Sequence, residues 1–266
     1  MTGRFFITLF ALSVGASAHA EPLTDADDII ARADLASYYA GADGRSEVRM
    51  IISDAQGRQQ RRQFTVLRRD VDDAGDQQFL VVFSQPSDVR NTVFLVDKHI
   101  DRDDDRWLYL PGLDLVKRIS AGDKRTSFVG AHYFYEDVSG RRPSEDTHEL
   151  VETTDEFYVL KHVPVDPKSA EFASYVTWIN RETFLPMKIE YTNPAGDLYR
   201  RVEVFEVEEF GGHPTVTTSR VSDILTGGKT DMQFRHIQYD IGLPDSVFTE
   251  RSLRNPPADW LKRPGK

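Results

Sequence analysis

The feature that most constrains this chain is the repetition of short strand-like segments between residues 44 and 239. Turn signals such as those at 54–57 and 226–228 separate runs of apolar and β-branched residues. Residues 79–83 and 93–96 are apolar at every position, which indicates that both faces of those strands are covered. Evenly spaced short strands of this kind predict a mainly β fold, built as a single large antiparallel sheet or barrel.

The strand pattern can be followed from one end of this region to the other. Within 199–208 the apolar positions change phase between Val204 and Phe205, which predicts a β-bulge. The segment 215–221 sets Thr and Ser against Val and Arg, a mixed face that suits either a core or a cavity wall. The predicted strands are 48–52, 64–66, 79–83, 93–96, 107–110, 115–119, 157–163, 175–180, 187–191, 199–208, 215–221 and 232–239.

Helical patterns occur only near the two ends of this strand region. Residues 25–39 are predicted to form a helix with Thr24 as its N-cap, and aspartates in the first turn suit the positive end of the helix dipole. A short helical turn is predicted at 248–254, before two prolines. Trp260 and Leu261 then offer an apolar contact that ties the end of the chain to the sheet.

The first twenty residues have the pattern of an export signal. Arg4 precedes an apolar run at 5–14, and Ala18 and Ala20 supply a small-x-small cleavage pattern. The run is shorter than the roughly 20 residues that span a bilayer. We therefore expect a signal peptide at 1–20 and one periplasmic domain at 21–266, with an uncleaved membrane anchor as the alternative.

Composition excludes several classes of function. The chain has 33 Lys and Arg against 43 Asp and Glu, which gives a net charge of −10. Nucleic-acid binding needs a basic footprint, and an acidic surface does not lie flat on an anionic bilayer. The chain has no cysteine, so we expect neither disulfides nor a thiolate metal site. No segment after the signal is apolar enough to predict an integral membrane protein.

Two segments resemble calcium-binding and phosphate-binding loops, but each lacks residues that the motif requires. Residues 101–105 alternate carboxylates as a calcium loop does, but Arg106 and Gly112 replace the required Gly and Glu. Residues 227–230 resemble the end of a phosphate loop, but Asp223 stands where a Gly is required. These segments are therefore interpreted as an acidic turn and a hairpin turn.

No catalytic constellation is found either. The chain contains no HExxH pair and no Gly-x-Ser-x-Gly elbow, so we predict no enzyme, no cofactor and no metal site. Glu136 and Asp137, if on a strand, would point to opposite faces. Sequence does not measure the separation of two carboxyl groups, so a glycosidase stays open as an alternative.

Aromatic residues are spread over nearly every predicted strand, as expected for a core or for a cavity that holds acyl chains. Such a cavity needs apolar walls and a lid, and leaves no catalytic motif. The side chains predicted to lie near this cavity are Phe83, Phe94, Trp107, Tyr109 and Phe128.

Several motifs together resemble one known family. They are the segments 106–111 (RWLYLP), 116–119 (VKRI), 128–130 (FVG), 135–137 (YED) and 248–254 (FTERSLR). Over most of the chain after the signal, this pattern is similar to the LolA-like outer membrane lipoprotein-sorting proteins, in a branch associated with exporters.

The resemblance implies a fold and a function. The fold would be an incomplete, open antiparallel β-barrel curled around a helical lid, either the helix 25–39 or the loop 122–130. The function would be to shield lipid or lipoprotein acyl chains between the inner and outer membranes, with an inner-membrane transporter of the RND or MMPL type as partner. A periplasmic accessory or sensor module that binds a membrane protein without lipid is the alternative.

The acidic composition and insertions such as 101–105 depart from the smaller sorting proteins, so the cargo stays open among lipoproteins, phospholipids and other lipids. Arg118 and Lys124 are predicted to contact a headgroup or an acidic partner, with an ordinary solvated basic turn as the equal alternative.

Overall fold

One antiparallel sheet dominates the computed structural model, which describes residues 21–262. This architecture confirms the predicted mainly β fold with one large sheet. The strands are β1 Asp43–Ser53, β2 Gln59–Asp70, β3 Gln77–Gln85, β4 Val93–Lys98, β5 Asp105–Leu110, β6 Leu115–Ile119, β7 Asp146–Thr153, β8 Phe157–Pro164, β9 Ser174–Asn180, β10 Pro186–Thr192, β11 Leu198–Phe210, β12 His213–Asp223 and β13 Lys229–Tyr239.

The order of the strands leaves the sheet open. It runs β6-β5-β4-β3-β2-β1-β13-β12-β11-β10-β9-β8-β7, so the first and last strands pair in the middle. β6 and β7 follow each other in sequence but lie at opposite edges. The connection between them, residues 120–145, must therefore cross one face of the sheet, and we call it the strap.

The strap packs on the face that we call inner. Its Phe128, Ala131 and Tyr135 are buried in a cluster with inner-face residues of the early strands, including Phe64 and Phe83. The strap also contains the short helix α2, Glu136–Ser139. The strap therefore fills part of the space that an open barrel would enclose.

The N-terminal helix α1, Ala26–Tyr38, covers the other half of the inner face. Ile29 and Ala33 bury themselves against Leu160 and Ile179, on β8 and β9. The Asp28 backbone N–H donates to Asp25 Oδ1 at 3.0 Å, so the N-cap is Asp25 and the predicted cap at Thr24 is wrong by one residue.

The C-terminal segment covers the outer face of the early strands. The helices α3, Glu250–Arg254, and α4, Ala258–Leu261, follow the last strand. Leu253 is buried there with Leu80 and Leu95, and Trp260 and Leu261 pack against the same cluster, which confirms the predicted contact of the tail. Both faces of the early strands are thus covered, as their uninterrupted apolar runs indicate.

Several local predictions can be compared with the strand register. The bulge is confirmed, because the β11–β12 register shifts around Glu206. Strand β7 was not predicted from the sequence, since DTHELVET is polar and lies at an exposed edge. Glu136 and Asp137 begin α2 and do not lie on a strand. The predicted signal peptide falls outside the described residues.

No helix within residues 21–262 combines the length and apolar character that crossing a membrane requires.

Candidate functional site

A cavity of about 370 Å³ lies on the inner face, with α1 and the strap as its roof. Its floor comes from seven neighbouring strands, from β3 through the central pair to β10. Because adjacent strands lie about 4.8 Å apart, these strands make up roughly 30 Å of the sheet, measured along its surface. The cavity is therefore bounded by the middle of the sheet and not by its two edges.

Hydrocarbon side chains form most of the walls. They come from every part of the floor, so no single strand supplies the apolar surface. The main wall residues are Phe64, Val66, Phe79, Val81, Ile189, Val202, Val204, Val216, Met232, Phe234 and Ile237.

Several polar groups in the lining are bonded to other protein groups. The hydroxyl of Tyr133 lies 2.8 Å from Ser219 Oγ, across the cavity from strap to sheet. Asp137 Oδ2 accepts from the Phe134 backbone N–H at 2.7 Å and from Arg200 Nη2 at 2.5 Å. These bonds turn polar atoms away from hydrogen bonding to a ligand, which favours an apolar occupant.

One end of the cavity roof is fixed by a buried arginine. Arg68 Nη1 donates to the carbonyl of Tyr38 at 2.6 Å and to Asp70 Oδ1 at 2.7 Å. Its Nη2 donates to the carbonyls of Ala40 and Gly41, both at 2.6 Å. Burial lowers the pKa of Arg68, and Asp70 partly opposes that shift. The guanidinium thus satisfies carbonyls left open at the end of α1 and ties them to β2.

A buried ionic cluster holds the strap. Glu136 is 2 % exposed, and its Oε1 lies 3.0 Å from Lys124 Nζ and 3.4 Å from Arg141 Nη1. Its Oε2 lies 2.6 Å from Arg125 Nη1. Burial alone would raise the pKa of Glu136, but the charges of Arg125, Lys124 and Arg141 outweigh it and lower the pKa to about 2. The carboxylate is therefore ionised and joins three cations.

Three of the aromatic residues predicted near the cavity form one block. The ring of Phe128 lies 5.7 Å from Phe83 and 5.6 Å from Phe94, measured between centroids. Of the three, only Phe128 lines the cavity, while the other two are fully buried behind it. A contact between these rings and a ligand stays a prediction.

The other two rings lie elsewhere. Leu108 on β5 faces the inner cluster, so its neighbours Trp107 and Tyr109 point to the outer face, where they pack near the C-terminal segment. The structure therefore places Trp107 and Tyr109 on the face opposite the cavity, and their predicted position beside it is wrong. Sequence shows the period of the strand, but it does not show which of two covered faces is the inner one.

The two predicted basic contacts differ in their surroundings. The side chain of Arg118 is 68 % exposed, pairs with Asp105 and lies 6.0 Å from the ring of Trp107. Lys124 has a side chain only 8 % exposed, and its Nζ lies 2.6 Å from Glu145. Lys124 is therefore part of the ionic cluster and does not form a solvated basic turn.

The aliphatic side chains of the wall are not among the residues that the sequence predicts for the cavity, since that prediction rests on aromatic residues. Val202 and Val204 alternate on β11, as do Met232 and Phe234 on β13. This period of two on successive late strands is the signal that could have identified the wall.

No group of three or more His, Cys, Asp or Glu residues within 21–262 is placed to hold a metal ion.

Comparison with known proteins places the chain in a family. A family model described as that of an uncharacterized protein matches residues 75–255, more than half of the chain. No curated protein sequence matches it.

Solved structures share the fold along most of their length. A DUF1329 family protein from Desulfovibrio piger is 29% identical with a TM-score of 0.78, covering 85% of this chain and 96% of its own. A putative outer membrane lipoprotein-sorting protein domain from Vibrio parahaemolyticus is 25% identical with a TM-score of 0.78, covering 86% and 98%. A LolA superfamily protein from Nitrosomonas europaea, 20% identical with a TM-score of 0.67 over 86% and 99%, shares the fold. The chain therefore belongs to the LolA-like family.

Proposed function

We propose that the protein is a periplasmic carrier that encloses lipid or lipoprotein acyl chains in the inner-face cavity. The observation that carries this proposal is the mainly apolar cavity beneath α1 and the strap, in which Tyr133 and Asp137 are bonded within the protein. Acyl chains need no hydrogen bonds, and each methylene removed from water contributes about 0.8 kcal/mol. A hydrocarbon chain is the ligand that this wall suits best.

The comparisons support the class of cargo. The relative from Vibrio parahaemolyticus is described as a putative outer membrane lipoprotein-sorting protein domain. A carrier of this kind passes its cargo from one membrane-associated protein to another. An inner-membrane transporter of the RND or MMPL type is the partner that we propose from the resemblance.

The size of the cavity bears on how cargo is loaded. Its volume of about 370 Å³ lies near the lower end of the roughly 300–1,000 Å³ typical of small-ligand pockets. A lipoprotein anchor with three acyl chains would need more room. We therefore expect α1 or the strap to move outward when such a cargo enters.

A binding experiment with a fluorescent fatty acid tests the proposal. Val202→Trp places an indole in the wall, whereas the matched control Val165→Trp alters a side chain that is 63% exposed. We expect the wild type and the control to bind the probe, and Val202→Trp to lose affinity by about tenfold or more, since overfilling a packed site is unfavourable. Absence of binding to the wild type, or equal binding to both variants, would contradict a carrier and favour an accessory module without lipid.

A further inference from the structure

A second, polar cavity of about 580 Å³ lies at the outer face of the sheet. Arg49, Arg90 and Arg235 line it, and all three are exposed. We call these residues the outer-face arginine row. Glu47 is the one acidic residue in the lining, and it pairs with Arg45 at 2.9 Å.

The strand register places the row across four neighbouring strands. Arg49 lies opposite Gln63 on β2 and opposite Gln233 on β13, so Arg235 is its diagonal neighbour. Arg90 reaches the same region from the turn after β3, where its Nε donates to the carbonyl of Ser84 at 3.3 Å. Four strands at about 4.8 Å spacing separate the ends of the row by roughly 14 Å.

The row contrasts with the arginines in and around the strap. Arg125, Arg141 and Arg200 each pair with a carboxylate, as does the exposed Arg118. Within the described part of the chain, none of the three row residues forms an ion pair with Asp or Glu. Three guanidinium groups thus line one recess with a single carboxylate, that of Glu47, which lies opposite Arg235 in the register. The recess therefore has an excess of positive charge, although acidic residues are in excess overall.

From this arrangement we infer that the row is a docking site for an acidic, extended segment of a protein partner. Guanidinium groups bind carboxylates through paired hydrogen bonds. Several negative charges spaced along a chain match a row about 14 Å long better than one compact anion does. Gln63 and Asn91 in the lining can pair with the peptide backbone of such a segment.

An anionic bilayer fits the site less well. The row lies within a recess, which a projecting segment can enter and a flat surface cannot. The net charge of −10 also opposes approach to an anionic bilayer. The site is separate from the inner-face cavity, so a partner could dock while cargo is bound. The inference therefore does not depend on the identity of the cargo.

Binding of fluorescein-labelled hexaglutamate to the full protein, measured by anisotropy at low salt, tests the inference. The row variant carries Arg49→Glu with Arg235→Glu, and its matched control carries Lys161→Glu with Lys168→Glu, at exposed positions elsewhere. Both variants change the charge equally. We expect the row variant to bind about tenfold or more weakly than the wild type, and the control to change little.

Three outcomes would overturn the inference: no binding of hexaglutamate to the wild type, equal loss in both variants, or row-dependent binding of phosphatidylglycerol vesicles in place of the peptide. Full displacement of the peptide by millimolar inorganic phosphate would be a fourth such outcome, because it would identify a small-anion site. Circular dichroism melting of each variant separates lost binding from lost folding.

Discussion

The strap and helix α1 cover the same cavity, but they are held in different ways. The strap buries an aromatic block around Phe128 and the ionic cluster around Glu136. Helix α1 buries only Ile29 and Ala33, and depends on caps at its two ends. Since a moving lid is drawn from the less buried parts of a fold, the comparison favours α1 as the lid and the strap as a fixed wall.

If α1 moves, we expect the hinge to lie at its C-terminal end, near Arg68. Three carbonyls at this end, from Tyr38, Ala40 and Gly41, are bonded to one guanidinium. At the other end, the backbone N–H of Leu23 donates to the hydroxyl of Tyr158 at 3.0 Å. The single hydrogen bond of Leu23 is easier to break than the several bonds donated by the charged Arg68 guanidinium. We therefore expect the N-terminal end of α1 to open first.

The largest effect is expected in the ionic cluster of the strap. Glu136→Gln removes the carboxylate and leaves Lys124, Arg125 and Arg141 with one fewer counter-charge at a buried position. We expect a loss of about 3–5 kcal/mol in the free energy of unfolding, measured by urea titration. The control Glu149→Gln changes an exposed strand residue and should cost little. A loss below about 1 kcal/mol for Glu136→Gln would show that the strap is not fixed by this cluster.

A pH experiment addresses the junction between the strap and β7. His148 Nε2 lies 3.0 Å from the Pro143 carbonyl, and its Nδ1 lies 2.7 Å from Nδ1 of His162. Burial, together with the neighbouring His148, lowers the pKa of His162 from 6.5 to about 3. The unfolded chain takes up this proton below its ordinary pKa, while the folded chain does not.

The free energy of unfolding should therefore keep the full contribution of His162 above pH 6.5, and this contribution should decrease as the pH falls from 6.5 toward 3. The slope from this group is about 1.4 kcal/mol per pH unit. His162→Gln should flatten the curve of unfolding free energy against pH, while His236→Gln, at an exposed position, serves as the control. An unchanged slope in His162→Gln would contradict a neutral, buried imidazole in the folded protein.

The next effect concerns the anchored end of α1. Arg68→Ala leaves the carbonyls of Tyr38, Ala40 and Gly41 without their donor, and we expect a cost of about 1.5–3 kcal/mol. Arg58→Ala, at a side chain 80% exposed, is the matched control. Hydrogen exchange should show faster exchange along α1 and no change in the strap. Equal acceleration in both would mean that they open as one unit.

The smallest effect is expected at the other end of the helix. Asp25→Ala removes the side chain that accepts from the Asp28 backbone N–H, and should cost about 1 kcal/mol. Asp27→Ala removes the same charge from the first turn without removing the cap. If the N-terminal end of α1 is the part that opens, Asp25→Ala should also speed the entry of a fluorescent fatty acid, measured by stopped flow. Unchanged entry would assign the lid to another segment.

The sequence predicts what depends on local periodicity. Most strands, the bulge near Val204 and the tail contact of Trp260 were identified because alternation, phase shifts and prolines act over a few residues. The polar edge strand β7 carries little of that signal. The ionic cluster was also missed, since Lys124 and Glu145 lie 21 positions apart in the chain and meet only through the fold.

The lipid site stays a prediction, and the fold places its five predicted side chains on two different faces of the sheet. A cavity with apolar walls was expected, and Phe128 lines one. Trp107 and Tyr109 were placed on the wrong face because both faces of β5 are covered by apolar clusters. Alternation alone separates two faces, and only the path of the strap determines which of them encloses the cavity.

The most direct test of the account is lipid extraction and mass spectrometry of the protein purified from periplasm without detergent. We predict that the wild type carries lipid in stoichiometric amount and that Val202→Trp, with its filled cavity wall, carries much less. A wild type free of lipid, or the same lipid content in Val202→Trp, would contradict the claim that the inner-face cavity holds acyl chains.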